Sequence, residues 1–549
     1  MTEQPFTPNK KPRNRLTAII AIVVAIVVIA AVVVIVVEEK KPTTSTNKNV
    51  EFYTWWATTG KVAYKRVLPA FHNATGLTVV PYVSPGAAGA TAIYAILSLL
   101  EAGNPPATFQ SHFGPAMLSY VEAAPNGLGS FVNMGPIAQD INLTNNAPAP
   151  VMEAGEFDGH LLSLPVNVNQ GSQLYLNPQV LAKWHQSIPK SIPQLVNVTL
   201  NLSKDGQVAW MIPGGDGGWD QLNVWEDTFL GLGGIKMYDE FIYGTLNISN
   251  PAVMNIINQT NKDYSVFQNN SYVGEQSMTW TEGIPDLTGG TVAFAANGNW
   301  YGAYADDFLN ISTYPVSSPY TSWTNISLMA EDFPSTSHYF VAVINSVAVP
   351  VGNTQADGIL FAKFFSSFNG SKLFSEPEGV ITYDNYTGDF YATPDQYASF
   401  QQMVTTPNEN WTYQISDGGL FASPTSTLES AMTTFSESFT NASSPSIFNS
   451  VVSILDSSIS NTLATEQSSW QAANSLGLGY MGSPGHVFGG YLPYWANTSA
   501  NRTASSSVVT DSGVSNAVSH NTQGTEYVYI SPFSIEYLEN AVTNALTKF

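Results

Sequence analysis

Tryptophans in this chain stand beside planar polar side chains at several separated places. They occur in Trp55-Trp56, in the run Gly214-Gly215-Asp216-Gly217-Gly218-Trp219, in Trp225-Glu226-Asp227 and in Asn297-Gly298-Asn299-Trp300. Gln110 and His112 flank a serine in another polar cluster. An indole covers a flat C–H face at low entropic cost, whereas amides and carboxylates can both satisfy hydroxyls at an edge; in a buried site every unmatched hydroxyl is expensive. A pyranose has C–H faces and a hydroxyl edge, so Trp combined with Asn, Gln and Asp is the chemistry of a carbohydrate contact. Covalent chemistry has less to work with. Cysteine is absent, which excludes disulfides, thiolate metal sites and thiol nucleophiles. The seven histidines show no metal-ligand spacing, and there is no GxSxG, HExxH, P-loop or dinucleotide fingerprint. An extracellular glycoside hydrolase would need two carboxylates flanking a cleft. Glu226-Asp227 is the most enzyme-like cluster, but a solvated helix face explains it more simply, and Trp225, four residues before Phe229, reads as core.

Alternating elements must hold these residues. Val50–Trp56 reads as a strand, followed by a helical stretch through Phe71 that Thr75-Gly76 closes. Leu77–Val83 is a second strand, and the small-residue loop 84–89 opens a helix whose Ile93, Ile96, Leu97 and Leu100 recur on one face. Gly103-Asn104-Pro105-Pro106 stops that helix before the strand-like Ala107–Gln110. The βαβαβ order argues an α/β lobe with a mostly parallel sheet, in which ligands sit beyond the carboxyl ends of the strands, where Trp55, Trp56, Gln110 and His112 fall. With 549 residues, 44% of them hydrophobic, the chain has room for two or three core-sized units.

Charge separates the amino-terminal segment from the rest. Lys10, Lys11, Arg13, Arg15, Lys40, Lys41 and Lys48 take seven of the 19 basic residues, so twelve serve the other 501 positions against 38 acids. Nucleic acid, which demands clustered Lys and Arg, is excluded as a partner. Leu16–Val37 is uncharged and almost wholly aliphatic. As a helix it is about 33 Å long, enough to cross a bilayer, and its length favours an uncleaved anchor over a signal peptide. The organisation expected is a cytoplasmic basic segment (1–15), a transmembrane anchor (16–37), a linker (38–48) and an extracellular remainder. Fifteen Asn-x-Ser/Thr sequons, all beyond the anchor, support that side as candidate glycosylation sites: Asn73, Asn142, Asn197, Asn201, Asn247, Asn258, Asn269, Asn310, Asn325, Asn369, Asn385, Asn410, Asn441, Asn497 and Asn501. The scarcity of basic residues limits self-repulsion once carboxylates protonate, which fits an acidophilic source. Sequons, anchor and a loop-rich tail also suit a structural cell-surface glycoprotein.

Several of these segments resemble the extracellular solute-binding proteins of carbohydrate ABC transporters, in the cluster of maltose- and glucose-binding proteins and nearest the archaeal and thermophile glucose binders. Phe52-Tyr53-Thr54-Trp55-Trp56-Ala57 is similar to that family's first strand, and Gly103–His112 to its GGDPPDTFQxH segment. Leu164–Asn167 resembles its crossing into the second lobe, and Val292–Phe294 with Asn297–Trp300 its strand and G-x-W turn. Val341–Pro350, a helix from Thr354 to Phe374 and Glu378-Gly379 resemble its return through the first lobe, although Glu378 stands where related chains carry a basic residue. The resemblance implies a two-lobed, periplasmic-binding-protein-like (type II) α/β fold with a hinge. Lobe 1 would be 49–164 and 312–375, lobe 2 would be 165–311 and 376–470, and 471–549 would be an extension. It implies sugar contacts from Trp55, Trp56, Gln110, His112, Asn167, Trp219, Asn299 and Trp300, with Asp216 on a glycine-rich loop and Asp417 as further candidates. It also implies a monosaccharide ligand, permease partners served by a cytoplasmic ATPase, and no cofactor, metal or catalytic residue.

Overall fold

The computed structural model describes residues 49–85, 89–157, 160–242, 246–247, 249–317, 325–384, 391, 393–419, 425, 428–433, 518–520 and 526–528. The expected segments 1–15, 16–37 and 38–48 lie outside the described residues, as does most of 471–549. No helix among the described residues is long and apolar enough to cross a membrane.

The first sheet starts as the sequence reads. Strand β1 (Asn49–Thr54) pairs in parallel with β2 (Thr78–Val83) and with β3 (Thr108–His112). Helices Thr59–Thr75 and Ala90–Glu101 make the crossovers. Gly76 ends the first with φ 74°, a left-handed conformation that a side chain would disfavour. Ile96 and Leu100 are fully buried, with Ile93 and Leu97 packed beside them, so the apolar face read from the sequence is the face that covers the sheet. After a two-residue ladder of β4 (Glu156–Phe157) and β5 (His160–Leu161), the chain enters β6 (Ser163–Gln170).

Four strands build the second sheet in the order β8-β7-β10-β9: β7 (Gln173–Leu176), β8 (Phe294–Asn297), β9 (Tyr314–Pro315) and β10 (Met329–Asp332). The chain then returns to the first sheet through β11 (Phe340–Ala348), which pairs with β6 along most of its length, with β3 at Asn345–Ala348 and with β12 (Trp411–Tyr413) at Phe340–Ala342. The stretch 312–375 therefore contributes to both sheets. Parallel pairing joins β1 to β2 and β3 and β11 to β12, as a mostly parallel sheet requires, but β11 runs antiparallel to β3 and β6, which makes the first sheet mixed. Among the described residues of the extension, β13 (Val518–His520) and β14 (Glu526–Val528) form a separate antiparallel pair.

One helix expected from Thr354 to Phe374 is two, Gln355–Phe365 and Phe368–Glu378. Ser367 breaks it, its hydroxyl accepting from the amide of Gly370 at 3.3 Å as an N-cap. Phe52, Phe361, Phe365 and Phe374 gather behind β1 in edge-to-face contacts. No described sequon asparagine is buried; Asn385, Asn441, Asn497 and Asn501 lie outside the described residues.

Candidate ligand-binding site

Period-two alternation in the first sheet sorts apolar residues from polar ones. In β6, Leu164, Val166 and Val168 face the core, while Asn167 and Asn169 share the other face; in β11, Val343 and Asn345 share a face in the same way. Register then sets Asn345 opposite both His112 on β3 and Asn167 on β6. From the second sheet, β8 ends at Asn297 and Trp300 opens the helix Trp300–Leu309. Trp219 opens the long helix Trp219–Ile242. These elements meet at a cavity of about 400 Å³.

Seven of the ten candidates line that cavity: Trp55, Trp56, His112, Asp216, Trp219, Trp300 and Asp417. Trp219 and Trp300 stack with centroids 6.0 Å apart, and Trp55 meets His112 edge-on at 5.0 Å. Trp56 reaches the wall by its margin only. It is 6% exposed, and its ring packs on Phe374 at 4.4 Å and Phe365 at 5.8 Å, so most of its surface belongs to the core.

Gln110, Asn167 and Asn299 are buried and absent from the lining. The first two stand behind the cavity wall. The Trp55 amide donates to Gln110 Oε1 at 3.2 Å, Gln110 Nε2 donates to Asn345 Oδ1 at 3.0 Å, and Asn345 Nδ2 donates to Asn167 Oδ1 at 3.1 Å. The backbone donor at the head of this relay fixes the orientation of every amide after it. Asn345, which the sequence reading missed, is the member that reaches the cavity. Asn299 precedes the helix Trp300–Leu309 but makes no side-chain cap bond, and neither its Nδ2 nor its Oδ1 has a partner among the described residues.

Aspartates close the second side. Asp216 Oδ2 accepts from the Trp280 amide at 2.9 Å, and the glycine turn that carries it is fastened by Gly214 N–H to Glu275 O (3.0 Å) and Gly215 N–H to Met278 O (2.8 Å). Its glycines are there for space. Gly218 has φ 98°, and a Cβ on it would lie 2.0 Å from the carbonyl oxygen of Glu429. Asp417 Oδ2 accepts from Trp219 Nε1 at 3.1 Å. Its Oδ1 lies 3.7 Å from His112 Nε2, beyond hydrogen-bond range. Burial pushes the Asp417 carboxyl up to about 8, with the nearby Glu226 adding to the shift and the Trp219 bond opposing it; burial lowers His112 to about 4. Between those values both groups are uncharged. Asp216 and Glu378 are likewise raised, chiefly by burial. Lys and Arg do not occur in the lining among the described residues, and carboxyls that hold their protons can donate to a neutral oxygen. The cavity thus suits an uncharged, hydroxyl-rich ligand rather than an anion.

Thr279-Trp280-Thr281, Asn169, Asn345 and Glu378 are among the lining residues beyond the candidates. Asn169 was within reach of period-two reasoning, lying two residues from the candidate Asn167 on β6, whereas Asn345 is placed by the pairing of β11 with β3 and β6. Glu226 and Asp227 are fully buried, which corrects the reading of a solvated helix face. Trp225 is core as expected, stacking on Phe229 at 5.3 Å with its Nε1 donating to Asn261 Oδ1 at 2.8 Å. A second cavity of about 380 Å³ beside Lys190, Glu331 and Asp395 contains no tryptophan and none of the candidates.

Two α/β sheets between which the chain passes and returns, with a cavity lined by elements attached to both, define the type II solute-binding fold. The chain belongs to the bacterial extracellular solute-binding proteins, whose family pattern matches residues 55–367. It is 43% identical to the glucose-binding protein GlcS of Saccharolobus solfataricus over 447 residues, covering 81% of this chain and 79% of that one. The xylose/arabinose-binding protein XacG of Haloferax volcanii is 21% identical over 334 residues, 60% of this chain and 67% of that protein. Among solved structures, the bacterial receptor AcbH, described as exclusive for β-D-galactopyranose, superposes with a TM-score of 0.59 at 13% identity, covering 76% of this chain and all of AcbH. A chitin oligosaccharide binding protein gives 0.59 at 16% identity, over 76% of this chain and 99% of its own. At such identities the structures speak for the fold alone.

Proposed function

We propose that this chain is the extracellular receptor of an ABC importer, capturing a glucose-like monosaccharide and presenting it to the permease subunits. The stacked Trp219 and Trp300 facing Trp55 and His112 across one cation-free cavity carry this reading. Aromatic faces there meet sugar C–H surfaces, and Asn345, Asp216 and Asp417 meet its hydroxyls. The name of the GlcS relative supports glucose within the class. A cavity of about 400 Å³ lies toward the small end of ligand pockets, which favours one ring over an oligosaccharide.

Contacts from both lobes make ligand favour the closed form, so binding shifts a population and no bond is made or broken. Closure would follow the two sheets, with lobe 1 built around β1–β3, β6, β11 and β12 and lobe 2 around β7–β10. The segment 16–37 would hold the receptor at the outer face of the membrane with the amino terminus inside, and N-terminal sequencing of the mature protein checks that it is retained. Calorimetric titration with glucose, galactose, mannose, xylose, arabinose and maltose tests the function. Saturable one-to-one binding of a monosaccharide without turnover is expected; hydrolysis of an oligosaccharide, or no response to any sugar, overturns it.

A further inference from the structure

Asp417 can serve the cavity only if the turn Ile415–Gly419 is held in place, and one buried side chain gathers that turn. Glu226, from the middle of the helix Trp219–Ile242, is wholly inaccessible. Its Oε2 accepts from the Ile415 amide at 2.5 Å and from the Tyr238 hydroxyl at 2.6 Å. Its Oε1 lies 3.3 Å from the Ser416 amide and 2.6 Å from Ser416 Oγ. Directly after Ser416, Asp417 holds the indole of Trp219, the first residue of the same helix. Next to it Gly418, at φ 101°, lets the turn press on His112, where a Cβ would lie 2.5 Å from the His112 Cβ. One carboxyl thus ties the first residues of the turn to the helix that supplies Trp219.

Proton counting then says which form of Glu226 fits. Ser416 Oγ stands 2.6 Å from Glu226 Oε1 and 2.5 Å from Asn223 Oδ1. Gln414 Nε2 already donates to that Asn223 oxygen at 2.7 Å, which identifies it as the acceptor. A hydroxyl carries one proton and cannot donate to both oxygens. A proton on Glu226 resolves the arrangement: Oε1–H donates to Ser416 Oγ, and Oγ–H donates to Asn223 Oδ1.

We propose that Glu226, in its protonated form, is a positioning residue for the ligand cavity, and that its ionisation releases the Asp417 turn and weakens sugar binding. The inference deepens the receptor reading and rests on it. The titratable groups that feel Glu226 are Asp227 and Tyr238 on its own helix, Asp417 in the turn, and Glu429. None of these can supply a compensating positive charge, so the ionised form is opposed by burial and by nearby acids and favoured only by hydrogen bonds from Ile415, Ser416 and Tyr238. Burial raises Glu226 to about 7, which places the transition near neutrality, below that of Asp417.

Glu226→Gln imitates the protonated acid, with its amide N–H toward Ser416 Oγ and its oxygen toward Ile415 N–H and Tyr238. Glu226→Ala removes the tie altogether. Sugar affinity, measured calorimetrically from pH 5 to 8.5 with the tightest sugar of the panel, should weaken through a step near pH 7 in the unaltered protein. In Glu226→Gln affinity should match the unaltered protein at pH 5 and lack that step, any remaining fall lying near pH 8 where Asp417 titrates. In Glu226→Ala affinity should be lower by about tenfold or more at every pH. A second measurement needs no sugar: the Trp219 indole N–H resonance, identified by its loss in Trp219→Phe, should shift with a midpoint near pH 7 in the unaltered protein and not in Glu226→Gln. A protein that binds no sugar defeats the receptor reading, whereas an unmoved resonance defeats the positioning role. A pH-independent affinity, or the same step persisting in Glu226→Gln, also overturns the role.

Discussion

Replacing Trp300 by alanine removes one of two stacked indoles from the cavity while leaving the strand before it intact. The ring lies across Gly298, where an added Cβ would sit 2.2 Å from it, and is partly buried, so its position is set by the turn rather than by a ligand. A fully buried aromatic removes roughly 150–250 Å² from water. A sugar covers one face of it, about a third of that area, which at about 25 cal/mol per Å² is worth roughly 1–2 kcal/mol. Trp219 also loses its stacking partner at 6.0 Å. That contact stabilises by about 0.5–1.5 kcal/mol, and its loss lets the remaining ring wander. Together the substitution should cost about 2–3 kcal/mol, or roughly a 30- to 150-fold rise in Kd. Isothermal titration reads this directly, with circular dichroism and Tm confirming that the variant is folded. Trp225→Phe, at an indole buried away from the cavity, serves as the comparison. A folded Trp300→Ala protein with Kd within about threefold of the parent would remove the stacked pair from the binding surface and refute the reasoning that rests on it.

Trp56→Ala should behave oppositely, losing about 3–5 kcal/mol of stability through a cavity against Phe374 and Phe365, with a smaller effect on Kd in whatever fraction remains folded. Gly218→Ala forces a side chain into a left-handed position and against the Glu429 carbonyl; a loss on the order of 3 kcal/mol in urea unfolding and weaker sugar binding are expected, and unchanged stability would contradict the close approach. Folding stability should also depend on pH in a set direction. Glu226 and Asp395 (about 7) and Asp417 (about 8) are raised by burial, so between about pH 4.5 and those values the folded chain holds protons that the unfolded chain releases. Their contribution is complete at low pH and is lost as pH rises through 7 to 8, on the order of 3 kcal/mol or more for each group. His112, lowered to about 4, acts the other way between about pH 6.5 and 4, but it is one group against several. Calorimetric Tm should therefore fall from pH 5 to pH 8, and a rise over that interval would contradict the assignment.

Local signals in the sequence were sufficient where one segment decides its own structure. The helix closing at Gly76 and the stop at Gly103–Pro106 both depend on backbone preferences that neighbouring residues express. The two helices between Gln355 and Glu378 show the limit of that approach. An apolar stretch such as Phe361–Phe374 stays periodic across a break, and only a capping serine marks the interruption. The mixed character of the first sheet was beyond local reading, because the direction of β11 depends on a return of the chain from the second sheet more than two hundred residues after β3.

The cavity was legible by residue type more than by residue role. Tryptophan next to a turn glycine advertises itself; an asparagine on a strand does not. Gln110 and Asn167 were candidates through the resemblance, and their amides instead bond Asn345, which stands between them. Which amide of a buried relay reaches the ligand is a question of register, and register here is set by long-range pairing of β11 with β3 and β6. Glu226 was misread for a related reason: an acid on a helix is normally solvated, and nothing in its own segment reveals that the Ile415–Gly419 turn, almost two hundred positions later, brings backbone donors to it. Burial without a cation is expensive, so carboxyls such as Glu226, Asp220 and Asp417 stay inside only by keeping protons or accepting several hydrogen bonds. A cavity assembled in this way offers protonated carboxyls to oxygen without a cation beside them among the described residues, a setting that favours a neutral polyol over an anion and ties the proposed receptor's binding to pH.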